Sequence, residues 1–158
     1  MNPETFKNLL NESHFAEQYY SLCSEHPLRP SGAPNSKGKK EDVISAFKEA
    51  GKEVKYIGKY RFYEFSLPHI NNTEYSASLF FQRHGIELTF GYKDEEEKYS
   101  NNLAVLAHDI TATYAPSNVP DPPYPRPDFN GDLNELHEII IKFVKLIEYS
   151  YEYIKNNS

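Results

Sequence analysis

From Val54 to Tyr92 apolar and polar residues alternate with little interruption, the period of a strand that buries one of its two faces. Tyr75, Ala77, Leu79 and Phe81 share one side while Glu74, Ser76 and Ser78 share the other. Further on, Ile86, Leu88, Phe90 and Tyr92 oppose Glu87, Thr89 and Gly91. The turn-like Gln82-Arg83-His84-Gly85 lies between the two runs, so the pattern predicts a β-hairpin. Upstream, Glu53–Ile57 and Tyr60–Leu67 flank Gly58-Lys59, which reads as a two-residue type II′ hairpin loop with Gly first. Tyr63, Phe65 and Leu67 again fall on one face, and Pro68–Thr73 reads as a loop. Sequential strands usually neighbour one another, so the simplest topology is an antiparallel meander of about four strands over residues 53–92. Such a sheet has one apolar face, which helices must cover.

The helix to do so is the clearest of the chain. Leu133, Leu136, Ile140, Phe143, Val144, Ile147, Tyr151 and Ile154 recur at helical spacing, placing a long C-terminal helix over residues 132–155. Asp132 can cap its start, and Glu135, three residues on, completes the pattern of a capping box. At the other end of the chain Asn2-Pro3-Glu4 is a helix start. Phe6, Leu9, Leu10, Phe15, Tyr19 and Leu22 then predict one helix to about Cys23, with an irregularity near Asn11. Val43, Ile44 and Phe47 mark a short helix over Glu41–Ala50, with Gly51 placed to end it in a left-handed conformation. Tyr99–Asn102 reads as the cap of a helix carrying Leu103, Leu106, Ala107, Ile110 and Tyr114, although residues 110–114 alternate well enough to be a strand. The expectation is an α+β fold in a single domain, residues 1–158.

Two segments break the periodicity. Residues 26–40 hold three prolines, two glycines and Lys37, Lys39 and Lys40, which predicts a mobile loop. A phosphate-loop reading fails on spacing: the second glycine should fall at Lys37, and no Ser or Thr follows Gly38-Lys39. Residues 115–130 hold six of the eleven prolines, a stiff, extended strap pinned by Tyr124 and Phe129. Pro120–Pro127 is alternatively a ligand for a partner's aromatic groove, which would make the protein an adaptor.

Charge changes the picture more than composition does. The net charge is −6, with five Lys/Arg against four Asp/Glu in residues 1–40, six against seven in 41–92 and six against twelve in 93–158. An acidic C-terminal part repels phosphate backbones, so nucleic acid is not an expected partner, whereas a basic protein would be attracted. The single cysteine, Cys23, excludes an intramolecular disulfide and a cysteine-based zinc site. No signal peptide or membrane-length apolar run is present, so a cytoplasmic protein is expected.

Catalytic signatures are missing. His14, His26, His69, His84, His108 and His137 form no metal-type pair, no nucleophile elbow or dinucleotide fingerprint occurs, and no metal or cofactor is expected. The sequence therefore predicts a small binding protein, without enzymatic activity, whose partner-binding residues are Asp94, Glu95, Glu96, Glu97, Tyr99 and Tyr124. Acidic steering combined with tyrosine anchors suits a basic partner. An immunity or antitoxin protein that neutralises a basic toxin such as a nuclease has these properties. The alternative is a small enzyme or ligand-binding domain with a pocket between strap and sheet, lined by His69, His108 and Tyr124.

Overall fold

The apolar side of the alternating region lies against helices, and among the described residues most of the polar side is uncovered, Glu87 beneath Arg126 being an exception. A computed structural model describes residues 1–30, 37–82 and 85–158. Its strands β1 (Lys55–Ile57), β2 (Phe62–Ile70), β3 (Thr73–Gln82), β4 (Gly85–Lys93) and β5 (Lys98–Asn102) form one antiparallel sheet in chain order. The helices are α1 (Pro3–Glu12), α2 (Phe15–Glu25), α3 (Lys40–Glu49), α4 (Leu103–Tyr114) and α5 (Leu133–Asn157). This is the expected α+β meander with one strand more than predicted. Of the hairpin turn at Gln82–Gly85, residues 83 and 84 lie outside the described residues, as do residues 31–36 of the loop at 26–40.

The core forms where inward strand residues meet helical stripes. Phe6 of α1 packs edge-on to Tyr92 and against Phe90, with ring centroids 5.2 and 5.4 Å apart. Phe47 of α3 and Phe143 of α5 both reach Phe65, at 5.8 and 5.9 Å. Tyr151 of α5 meets Tyr75 edge-on at 5.9 Å and donates from its hydroxyl to the Pro68 carbonyl. α5 therefore spans the apolar face as expected, running two residues further than predicted. Each buried ring contributes on the order of 2 kcal/mol through water exclusion, with tilted and edge-on pairs adding somewhat less than that again.

Several local expectations are corrected. The first helix is two, because Ser13 turns the chain and His14 sits at φ 61 in the left-handed region. The β1–β2 loop is not a two-residue type II′ turn: Ile57 pairs with Phe62, leaving four residues between, and the positive φ belongs to Arg61. Strand β2 continues through Pro68 and His69, since a register irregularity between Leu67 and Ile70 accommodates a residue with no N–H to give. Asn71, at φ 55, then makes the tight turn into β3. Residues 98–102 are strand β5, whose last residue, Asn102, is also the N-cap of α4 although its side chain makes no capping bond, while residues 110–114 are helical. Gly51 ends α3 as expected, at φ 84, with its amide and that of Lys52 donating to Lys48 and Phe47.

Candidate functional site

With the helices confined to one side, the other face of the sheet is open, and the strand register orders its side chains into cross-strand rows. Ile57 pairs with Phe62 and Phe80 with Glu87, giving a row of three apolar side chains that ends in the buried Glu87. Next to it, Lys55, Glu64, Ser78, Thr89 and Asn102 follow one another across the five strands. A third row reads Ser66, Ser76, Gly91 and Ser100, and a fourth Glu74, Lys93 and Lys98. The middle rows are mostly Ser, Thr and Gly, and the outer rows are large. Small floors between tall walls make a trough, and a cavity of about 460 Å³ lies there, lined by Phe62, Phe80, Thr89, Lys93, Lys98 and Ser100 among others.

Gly91 fixes the shape of the floor. A Cβ at this position would collide with the Tyr99 carbonyl and with Cβ and Cα of Ser100, so its absence lets β5 lie close against β4 and carries Ser100 to the edge of the trough. Ser78 and Thr89 share a hydrogen bond across β3 and β4. At the far end Glu74 is engaged by His69 Nε2 at 3.2 Å, whereas Lys93, Lys98 and Glu64 make no ion pair among the described residues.

The predicted acidic residues stand just beyond the lysine row, in the β4–β5 turn. Asp94 accepts from the amides of Glu96 and Glu97 at 2.9 and 2.8 Å, and its own amide donates to the Glu97 carbonyl. Those backbone donors, Glu97 first, hold its carboxyl below the usual range. Asp94 is therefore the residue that builds the turn. Glu95 and Glu96 project into solvent, Glu97 is half-buried, and none of the three has an ion-pair partner among the described residues. Tyr99 is half-buried beneath Phe6 and Tyr92, with Lys7 Nζ 5.7 Å from its ring centroid. Tyr124 belongs to another neighbourhood, stacked on His108 at 4.6 Å. The structure thus gathers five of the six predicted residues at one end of the sheet and leaves Tyr124 on the strap.

The strap is fastened at closely spaced points. Its Pro127 carbonyl accepts from the Ile86 amide at 2.8 Å, and its Pro125 carbonyl from the Tyr19 hydroxyl at 2.8 Å. Arg126 Nε donates to Glu87, which is completely buried and has its second oxygen unpartnered. Burial raises the Glu87 carboxyl above its ordinary range, against the pull of Arg126. Phe129 is the predicted anchor, buried against Phe81 at 5.7 Å. Residues 116–118 and 121–124 are the strap's exposed parts.

A second polar knot joins the end of the strap to α2 and α5. Glu135 is 7% exposed and accepts two bonds from Arg29, both 2.7 Å, one from Asn130 at 3.1 Å and one from His26 Nδ1 at 3.0 Å. Arg29 foremost, with His26 and Asn130 adding, pulls its carboxyl down to about 2. Lys142 can only donate, so His26 Nε2 accepts from it at 2.8 Å and the ring proton sits on Nδ1, facing Glu135. Glu135 is not the reciprocal member of a capping box: Asp132 caps α5 alone, and its amide goes to the Phe129 carbonyl.

His69, His108 and Tyr124 do not share a cavity among the described residues, since His69 borders the trough while His108 stacks on Tyr124. His26 is buried in the polar knot, and His84 lies outside the described residues. Among the described residues no group of three potential metal ligands is assembled, and no helix is long and apolar enough to cross a membrane. Burial pushes the Cys23 thiol up to about 12, far from the thiolate a nucleophile needs. Sequence reasoning missed the tertiary roles of Glu87 and of Glu135, the latter assigned to a helix cap, and the trough. The first two are single acids in otherwise ordinary patterns. The trough emerges only when residue sizes are compared across strands. No family model, curated protein or solved structure matches this chain.

Proposed function

We propose that this protein acts by binding, and that its partner is a basic protein taken first at the acidic β4–β5 turn. The supporting observation is the turn itself: Asp94 holds the backbone with two amide bonds while Glu95 and Glu96 stand free of any ion pair among the described residues. Asp94 meets the N-terminal ammonium at 3.4 Å, so the unpaired charge among the described residues is that of the glutamates, which on a chain of net charge −6 favours encounter with a positive surface. Tyr99, half-buried beside the turn, supplies ring area next to the charge. An immunity or antitoxin protein, held in the cytoplasm against a basic toxin, is the functional type that fits these features.

The test is calorimetric titration of the full chain with the product of the adjacent reading frame. Tight, salt-sensitive binding is expected, with the paired change Glu95→Lys and Glu96→Lys slowing association by about tenfold or more in low salt. A neighbouring product that does not bind, or an association rate indifferent to both changes, would sink the reading.

A further inference from the structure

The open face of the sheet carries a polarity gradient that the partner reading does not use. Phe62 and Phe80 form one wall, Glu64, Ser78 and Thr89 the adjoining floor, Ser66, Ser76 and Ser100 the next row, and Lys93 and Lys98 the far wall. On β3 the walls are six residues apart, from Phe80 to Glu74, or roughly 20 Å at ~3.3 Å per residue. Row by row across the strands the order is rings with the buried Glu87, then Glu64 with hydroxyls, then hydroxyls alone, then ammonium groups beside Glu74.

Three features mark this as more than a polar surface. Lys93 and Lys98 are direct partners on neighbouring strands. Like charges so placed destabilise a sheet unless something negative lies with them. Glu74 is the direct partner of Lys93 but is drawn to His69, and the turn acids Asp94–Glu97 lie beyond the lysines, outside the lining of the trough. Beside the lysines, Ser66, Ser76 and Ser100 make no side-chain hydrogen bond among the described residues, although side-chain bonds occur throughout the structure, including the neighbouring pair Ser78 and Thr89. Finally, Phe62 and Phe80 are only half-buried on the side of the sheet that has no core.

We infer that the trough is a site for a nucleoside phosphate, with the base against Phe62 and Phe80, the ribose hydroxyls on Glu64, and the phosphates at Lys93, Lys98 and Ser100. Each part of such a ligand meets its chemical complement in the order in which the parts are joined. Aromatic faces stack bases without regard to sequence. A carboxylate accepts from paired ribose hydroxyls, as acids do in dinucleotide folds, and paired ammonium groups with a nearby hydroxyl hold phosphate. A volume of about 460 Å³ falls within the roughly 300–1,000 Å³ of small-molecule sites. Glu64 stands two rows from the lysines, where its charge meets the sugar rather than the phosphates. The inference stands independently of the basic partner, since it concerns the chain alone.

The experiment is an amide-resolved NMR titration of the full chain with ADP, adenosine and pyrophosphate in turn. ADP is expected to shift Ser76, Ser78, Thr89 and Ser100 saturably at low-millimolar concentration. Pyrophosphate should move only the end near Lys93 and Lys98. Replacing both exposed lysines, Lys93→Ala with Lys98→Ala, should weaken ADP by about tenfold and leave adenosine unchanged, whereas Phe80→Ala should weaken ADP and adenosine but not pyrophosphate. The inference is overturned if ADP produces no saturable shift in the trough, if its shifts gather around Lys37, Lys39 and Lys40, or if the double lysine variant binds ADP as before.

Discussion

Replacing Glu135 by Gln isolates a charge that sequence pattern would assign to a helix cap and that geometry assigns to a tertiary knot. The carboxyl titrates at about 2 in the folded protein, against 4.5 ordinarily. At about 1.4 kcal/mol per unit, that difference corresponds to roughly 3 kcal/mol of preference for the ionised form when folded. Arg29, the principal cause, is 48% exposed along its side chain, so solvent screening reduces the contribution to about 2 kcal/mol. Gln keeps the shape and one acceptor oxygen but loses the charge, and it cannot accept both guanidinium bonds in the same way. For a chain of this length Glu135→Gln should therefore lower Tm by roughly 4–8 °C at neutral pH.

The sign of the pH dependence makes the test sharper. A carboxyl whose folded pKa is depressed stabilises fully above its unfolded value and loses that stabilisation as pH falls toward the folded value. The wild-type chain should thus lose Glu135's contribution progressively from about pH 5 to about pH 2. The Gln variant has nothing to lose there, so the two stability curves should converge on acidification. Urea denaturation at a series of pH values measures both. Curves that coincide at neutral pH, or that run parallel down to pH 2, would refute the assignment of the knot as a net stabiliser.

Two further substitutions test how the last strand and the strap are held. Arg126→Ala leaves Glu87 buried beneath the strap without its cation, which should cost about 3–5 kcal/mol at neutral pH. The Glu87 carboxyl is already raised by burial, so the deficit should shrink as acid neutralises it, and Glu87→Gln in the same chain should recover part of the loss; a deficit that grows on acidification would contradict this. Gly91→Ala drives a methyl group into the backbone of Tyr99 and Ser100, with an expected cost of about 3 kcal/mol, at the upper end for overpacking. Hydrogen exchange should then report loss of protection in residues 98–102 ahead of the rest of the sheet, and an unchanged exchange pattern would show that β5 does not depend on the close approach.

The legible parts of this fold are those where burial and periodicity coincide. Strands β2, β3 and β4 each set large apolar groups on one side, and α5 carries a stripe wide enough to cover them, so both could be placed from the sequence. Strand β5 could not. Lys98-Tyr99-Ser100-Asn101-Asn102 contains one ring and no apolar alternation, because it joins the sheet through backbone pairing to β4 and not through a buried face. The irregularity expected near Asn11 is a full break between α1 and α2, which the sequence understates because it rests on a left-handed His14 with neither Gly nor Pro to announce it. The acidic turn was found as a charge run, but the separation of roles within it, Asp94 holding the backbone and Glu95 and Glu96 facing water, depends on hydrogen bonds that spacing does not encode. In the trough, Ser, Thr and Gly read as unremarkable polar positions until register lines them up between Phe80 and Lys93.

The same register explains why a proline-rich segment lies where it does. Strand β4 pairs with β3 along its whole length, but β5 covers only Thr89–Lys93 on its other side. The remaining edge, residues 85–88, would expose unpaired amides and invite another chain to pair there. The strap closes it: the Ile86 amide donates to Pro127, and Gly85 lies so close to Arg126 that an added Cβ would come within 2.9 Å of the arginine's own Cβ. Proline suits this position because it offers a carbonyl to the edge while having no N–H to extend the ladder outward. The opposite edge is managed by brevity, β1 being three residues long. The strap thereby withdraws the uncovered stretch of β4 from pairing, while none of its residues lines the trough, so the open face stays accessible beside it.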